Sequence, residues 1–234
     1  MIRGKSNLVK TISTLLYKSN IIFIKDLQLE FRSRFAINAI ILFAITSLTA
    51  ISFSIGPVHL QPNLVSALLW IILFFSAMSG LAHIFVREEE QQTADTLRLV
   101  TPATPIFLGK WLFNITLLLG LEIIIIPLFF VLMNISIANF GIFIIILILG
   151  SIGLATVSTV IAAIISQASI KGALFAVLAF PIALPVLISA IHGTRLSIEG
   201  NSLSDSLPDI QALFSFSVVI FTVSILVFEF VWKK

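Results

Sequence analysis

No cysteine occurs anywhere in the chain, which excludes disulfides, thiolate metal sites and cysteine nucleophiles, and leaves the redox compartment open. Charge is scarce: 11% of the residues are Asp, Glu, Lys or Arg, against about 25% in a soluble domain. Catalytic signatures are missing as well. "FLGKW" offers Gly109 and Lys110 without the upstream glycine or the following hydroxyl of a phosphate loop. Neither H-E-x-x-H nor G-x-S-x-G occurs, so the chain is not expected to hydrolyse anything itself. A cleavable leader would open on a short basic stretch, then an apolar run of about 7–15 residues and a small-residue cleavage site. No such pattern is present, and the N-terminus is expected to be retained.

What remains is 59% hydrophobic, so the solvent for most of the chain is lipid. A helix needs about 20 residues to cross a hydrocarbon core of about 30 Å. Six runs are long enough: 35–55, 64–85, 111–133, 140–165, 172–191 and 210–231. None contains Lys or Arg, and all are continuously apolar, unlike the alternating strands of about ten residues in a β-barrel. The expected fold is an all-α integral membrane protein of six transmembrane helices, a single membrane domain without a soluble domain. Trp111 and Trp232 sit at span ends, where indole rings favour the interface.

With six spans, every basic residue except Arg195 falls on one side. The positive-inside rule makes that side cytoplasmic, with both termini on it. Residues 1–34 form a cytoplasmic leader. Within it, over 21–34, Ile24, Leu27 and Phe31 share a helical face, which suits a helix lying in the membrane interface and bending at Ser33–Arg34 into the first span. A solvated basic leader is the plainer alternative. The longest cytoplasmic connection is the bridge 86–110, within "FVREEEQQTADTLRLVTPATPIFLGKW". It should extend the second helix through Glu88, Glu89 and Glu90, form a second piece around Ala94 and Leu97, and break at "TPATP". Thr104 then reads as an N-cap with Pro105 at the first helical position. A solvated loop without a partner would not need Leu97, Leu99 and Ile106.

Glu122 is the one ionisable residue near a membrane midplane, where burying a carboxylate costs about 2.5–3.5 kcal/mol. It either carries its proton or faces a polar interior or a partner. A transport-path or proton-linked group and an interhelical hydrogen bond both fit. Pro127 follows on the same helix, and Pro181 and Pro185 interrupt the fifth span. Such breaks are tolerated where they are buried in protein or line a cavity. Glu122, Pro127, Pro181 and Pro185 are therefore the candidate intramembrane polar set. The small residues of the fourth span, from Gly150 to Ala163, read as ordinary close packing.

The chain also resembles a known family. The carrying stretches are "KDLQLEFRSRFAINAIILF" (25–43), "FSIGP" (53–57), "LLWIILFFSAMSGL" (68–81) and the bridge with its flanks (85–114). "LEIIIIPLF" (121–129), "GSIGLATVSTVIAAI" (150–164), "FPIALPVLISA" (180–190) and "FEFVW" (228–232) continue the match in order. Together they resemble the haem exporter protein B (CcmB) family, the ABC-2-type membrane subunit of cytochrome c maturation. The P-x-x-x-F-L-G-K ending of the bridge is the most specific part. "QQTADTL" lacks glycine where a Gly-Thr-Leu-Glu-like turn is expected.

The resemblance implies a permease without its own engine, in a bacterial cell inner membrane, with a mitochondrial inner membrane as the alternative. The partners implied are a CcmA-like ATPase subunit, a second copy of the membrane subunit, CcmC-like and CcmD-like membrane proteins and the lipid bilayer, with no nucleic acid. ATP would act through the partner subunit. Haem is the cargo implied, or else ATP frees a haem-loaded chaperone, CcmE, from its loading complex. The bridge becomes a coupling segment, with Arg87, Glu88, Glu89, Glu90, Asp95 and Leu97 as the ATPase contact. His59, His83 and His192 are the histidines to test as haem ligands, yet none has a second ligand at helical spacing, and no bound cofactor or metal is assigned. Two other readings stay open: a proton-coupled secondary transporter using Glu122, and a non-transporting scaffold for haem-handling assembly proteins.

Overall fold

The computed structural model describes residues 2–56, 60–166 and 172–232, with the side chains of 2–12, 172–174 and 176 left out. Among the described residues there is no strand. The chain forms α1 (Ile2–Ser33), α2 (Phe35–Ile55), α3 (Pro62–Leu81), α4 (His83–Glu90), α5 (Ala94–Val100), α6 (Ala103–Met133), α7 (Phe140–Ser166), α8 (Gly172–Glu199) and α9 (Leu203–Trp232). Among the described residues, six helices are long and apolar enough to cross a membrane, with α3 and α4 counted as one. The all-α membrane fold expected from the apolar runs is what the chain adopts.

The helices outrun the apolar runs at several ends. The connection expected at 192–209 is largely helix: α8 continues to Glu199, Gly200 takes φ 80°, and α9 begins at Leu203. Hydropathy marks what lipid covers, whereas a helix continues as long as its backbone bonds do. The start of α6 is also earlier than expected. Pro102 occupies the cap position and Ala103 the first turn, so Thr104 is not the N-cap. The break falls at Thr101 and Pro102, because Pro102 biases its predecessor toward extended backbone, and Thr101 has φ −141°.

Helix α7 is the hub, packed on α8, α9, α6, α4 and α3. Its small residues permit that. A methyl group at Gly150 would run into the Trp70 ring, and Trp70 Nε1 donates to Thr194 Oγ1 at 2.9 Å. The α3–α7–α8 contact therefore closes around an indole rather than a bare apolar seam. Helices α2 and α9 lie at the periphery, with large apolar side chains such as Leu42, Phe53, Phe214 and Phe230 exposed. In water such surface would be a liability; on a membrane protein it faces lipid or another membrane chain.

Helix α1 is continuous over 32 residues, well beyond the segment 21–34 assigned to an interfacial helix. It lies against α6 with an arrangement opposite to that of a soluble amphipathic helix. Ser19, Ile22, Asp26 and Glu30, spaced three or four apart, are buried against the protein. Leu16, Tyr17, Ile21, Ile24 and Phe31 point outward. A helix with an apolar outer face and a charged inner face suits the membrane interface. Close approach is possible at Gly109, where an added methyl would lie 2.7 Å from the Ser19 carbonyl oxygen.

Candidate functional site

All the charged residues of the bridge lie at one end of the bundle, the end that carries α1, α4 and α5. The turn between α1 and α2 sets the first wall. Arg34 is the single residue between the two helices and takes the left-handed conformation, φ 55°. That costs a non-glycine residue about 1–2 kcal/mol. Glu30 offsets it: its Oε1 accepts from the Ile37 N–H at 3.0 Å, satisfying a free donor in the first turn of α2.

The second wall is α4. It ends in a Schellman motif, in which Thr93 N–H donates to Glu88 O at 3.0 Å and Gln92 N–H to Glu89 O at 3.2 Å. Gln92 holds φ 55°, the position usually given to glycine. The glycine missing from "QQTADTL" is thus replaced by a strained glutamine, with the turn itself intact. Gln92→Gly is expected to raise the unfolding free energy by roughly 0.5–1 kcal/mol, because the left-handed penalty exceeds the added chain entropy. Thermal unfolding in detergent measures it, and a destabilised variant would contradict this account of the turn.

Between these walls sits a buried ion cluster. Lys110 is fully enclosed, and its Nζ has three acceptors for its three protons: Asp26 Oδ2 at 3.2 Å, Glu88 Oε1 at 3.1 Å and Ile84 O at 3.1 Å. Lys25 adds a second cation, 2.5 Å from Glu88 Oε1 and 3.2 Å from Asp26 Oδ1. Thr93 Oγ1 donates to the other Glu88 oxygen at 2.6 Å. Two lysines and two carboxylates balance, and they join α1, α4 and α6 at one point. Burial draws the Lys25 pKa down, but Asp26 and Glu88 outweigh it and hold the ammonium above the ordinary lysine range.

A third layer fixes α5. Arg98 reaches Asp95 at 2.7 Å and Glu89 at 2.8 Å, and its guanidinium lies 4.8 Å over the Trp232 ring of α9. Trp232 stacks on Phe228 at 5.3 Å, and Phe85 and Phe107 pack on Phe228 at 5.3 and 5.4 Å. Trp232, at the end of its span, is buried beneath the bridge.

The six residues assigned to a partner contact are divided by this geometry. Glu88 is 7% exposed and held by its own chain. Arg87 and Glu89 face the chain's own ions, Glu30 at 3.9 Å and Arg98 at 2.8 Å. Leu97 is half-buried against the core. Asp95 and Glu90 are exposed, and so are Leu99 and Val100, with Leu99 at 89%. Ile106 is fully buried in the core, so it belongs to the scaffold rather than to a free face. Sequence reasoning missed Asp26, Glu30 and Lys110. The signal was the i, i+4 spacing of Asp26 and Glu30 on the face shared with Ile22, and a lysine placed directly after the glycine that admits α1.

Glu122 is buried at the α6–α7 contact, where Ser151 Oγ bonds its Oε1 and also lies 2.7 Å from the Leu147 carbonyl. Its second oxygen has no partner among the described residues. Asn114 to Thr159 at 2.9 Å and Trp111 to Thr156 at 2.8 Å extend this polar seam. Pro127, Pro181 and Pro185 are exposed on outward faces, and α6 and α8 continue through them, so these four residues do not converge. His59 lies outside the described residues. His83 stands edge-on to Phe35 at 5.0 Å, and His192 Nδ1 is 2.7 Å from Asp209. Among the described residues no three His, Cys, Asp or Glu side chains are grouped to hold a metal.

Six helices among the described residues that are long and apolar enough to cross a membrane, two of them connected by the helical bridge, mark a multi-pass membrane protein. The family model described as CcmB protein matches residues 18–230, and the chain belongs to the CcmB family, the membrane component of haem export for cytochrome c maturation. No curated protein matches the chain.

Proposed function

We propose that the chain is the permease subunit of an ABC transporter complex in a bacterial inner membrane. It works as a homodimer, energised by a separate CcmA-like ATPase, and serves haem delivery alongside CcmC-like and CcmD-like proteins. Its basic end, with both termini, faces the cytoplasm. Haem, or release of a haem-loaded chaperone, is the work done, and ATP is bound and hydrolysed by the partner. The observation that carries this reading is the braced bridge. A push delivered to α5 meets no slack, because Arg98, Trp232 and the Lys110 cluster tie it to α1, α4, α6 and α9. The pushing surface is then Glu90, Asp95, Leu99 and Val100, while Arg87, Glu88, Glu89 and Leu97 hold the bridge in shape. Apolar anchors rimmed by charge suit docking into a groove.

The test is mild-detergent affinity purification of the tagged protein from its own membranes, with mass spectrometry of what accompanies it. A soluble P-loop ATPase at one-to-one stoichiometry is the expected result. A chain that is recovered folded and alone, with activity following the proton gradient, overturns it in favour of a transporter built on Glu122.

A further inference from the structure

A cavity of about 430 Å³ opens beside the ion cluster, between the end of α1, the start of α2, the α3–α4 junction and α6. Its walls are of two kinds. Leu29, Phe35, Ala36 and Phe113 form an apolar side, while His83, Arg87, Glu30 and Glu90 supply charge and hydrogen bonding. Asp26 and Glu88 also reach the lining but are occupied by Lys25 and Lys110.

Arg87 has spare capacity. Among the described residues its guanidinium meets one carboxylate, Glu30 Oε2, at 3.9 Å, which is too long for a hydrogen bond. Such a gap between opposite charges is the place for an inserted polar group. His83 lies one helical turn before Arg87 on the same face of α4 and offers a ring N–H in either tautomer. An anion alone would face Glu30 and Glu90, and a cation alone would face Arg87. A group bearing both signs satisfies both. The cavity also lies where the polar helix α1 gives way to the apolar span starting at Phe35, the depth of lipid head groups. Its volume is at the lower end for ligand pockets and suits a head group with the first part of a chain.

We propose that this cavity binds phosphatidylethanolamine from the leaflet at the basic end of the bundle. The phosphate accepts from Arg87 and His83, the ammonium donates to Glu30, and the chain leaves along Phe35, Ala36 and Phe113. The lipid completes the elbow between α1 and α4, so the bridge is seated partly on a membrane component.

The purified full-length protein, reconstituted in nanodiscs of equal phosphatidylethanolamine and phosphatidylglycerol, tests this by native mass spectrometry of retained lipid. One phosphatidylethanolamine retained with about tenfold preference is expected, falling about tenfold in Arg87→Gln. His83→Ala, at an exposed side chain, is expected to reduce retention without changing the unfolding temperature, and decides the matter if Arg87→Gln does not fold. Equal retention of the two lipids, or unchanged retention in His83→Ala, overturns the proposal. Displacement by chain-free phosphoethanolamine or inorganic phosphate as effectively as by lipid overturns it too, in favour of a soluble phosphate ligand.

Discussion

Lys110→Met is expected to destabilise the protein by about 3–5 kcal/mol, enough to remove most of it from membranes. The methionine fills the volume, so the loss is electrostatic rather than a cavity effect. It leaves Asp26 and Glu88 sharing Lys25 alone, which is more exposed, and it takes the second donor from the Ile84 carbonyl. The companion variant Lys110→Met with Glu88→Gln restores one lysine to one carboxylate. It is expected to recover a good part of the loss, as coupled residues do in a double-mutant cycle. Unfolding in detergent, followed by tryptophan fluorescence, reads both. Equal instability of the single and double variants would sink the neutral-cluster account.

Leu99→Asp combined with Val100→Asp is expected to do the reverse: normal protein, failed function. Both side chains are exposed, so the folded state loses little, within about 0.5 kcal/mol. If they are anchors for the ATPase, burying two new carboxylates in its groove costs at least about 2 kcal/mol, a loss of affinity of roughly 30-fold or more. Copurification of the ATPase and formation of c-type cytochromes should fall together, at wild-type membrane levels of the variant. Charge reversal at Glu88 would be a poor substitute test, since Glu88 is part of the fold. Retained copurification would remove α5 from the interface.

Which features could be read from the chain follows from which forces act locally. Continuous apolar runs report directly on lipid, so six spans and their helical nature were legible, while the helix ends were not. The stop after Val100 was legible, whereas the restart of α6 was placed two residues late, at Thr104 instead of Pro102, because proline constrains its predecessor as well as itself. The bridge residues were legible as charged, but not as inward or outward. Glu88, Glu89 and Glu90 are neighbours in sequence and differ completely in role: one buried, one paired with Arg98, one exposed. That division depends on Lys25, Lys110 and Arg98, whose positions are set by packing of distant helices. The inward charge of α1 was hidden for the same reason, since a helical wheel shows two faces without saying which is wet.

The ion pair between Asp26 and Lys110 spans 84 positions in the chain. A ribosome covers that distance in roughly 4–17 s at about 5–20 residues per second. For that interval Asp26 has Lys25 as its one cation in the cluster, and the outward apolar side chains Leu16, Tyr17, Ile21, Ile24 and Phe31 are what α1 can offer a membrane surface. Helix α1 is therefore locked only after α4 and α6 have followed it. The third span, by delivering Lys110, closes the cluster that joins α1, α4 and α6, and until it arrives Asp26 and Glu88 have Lys25 alone to share.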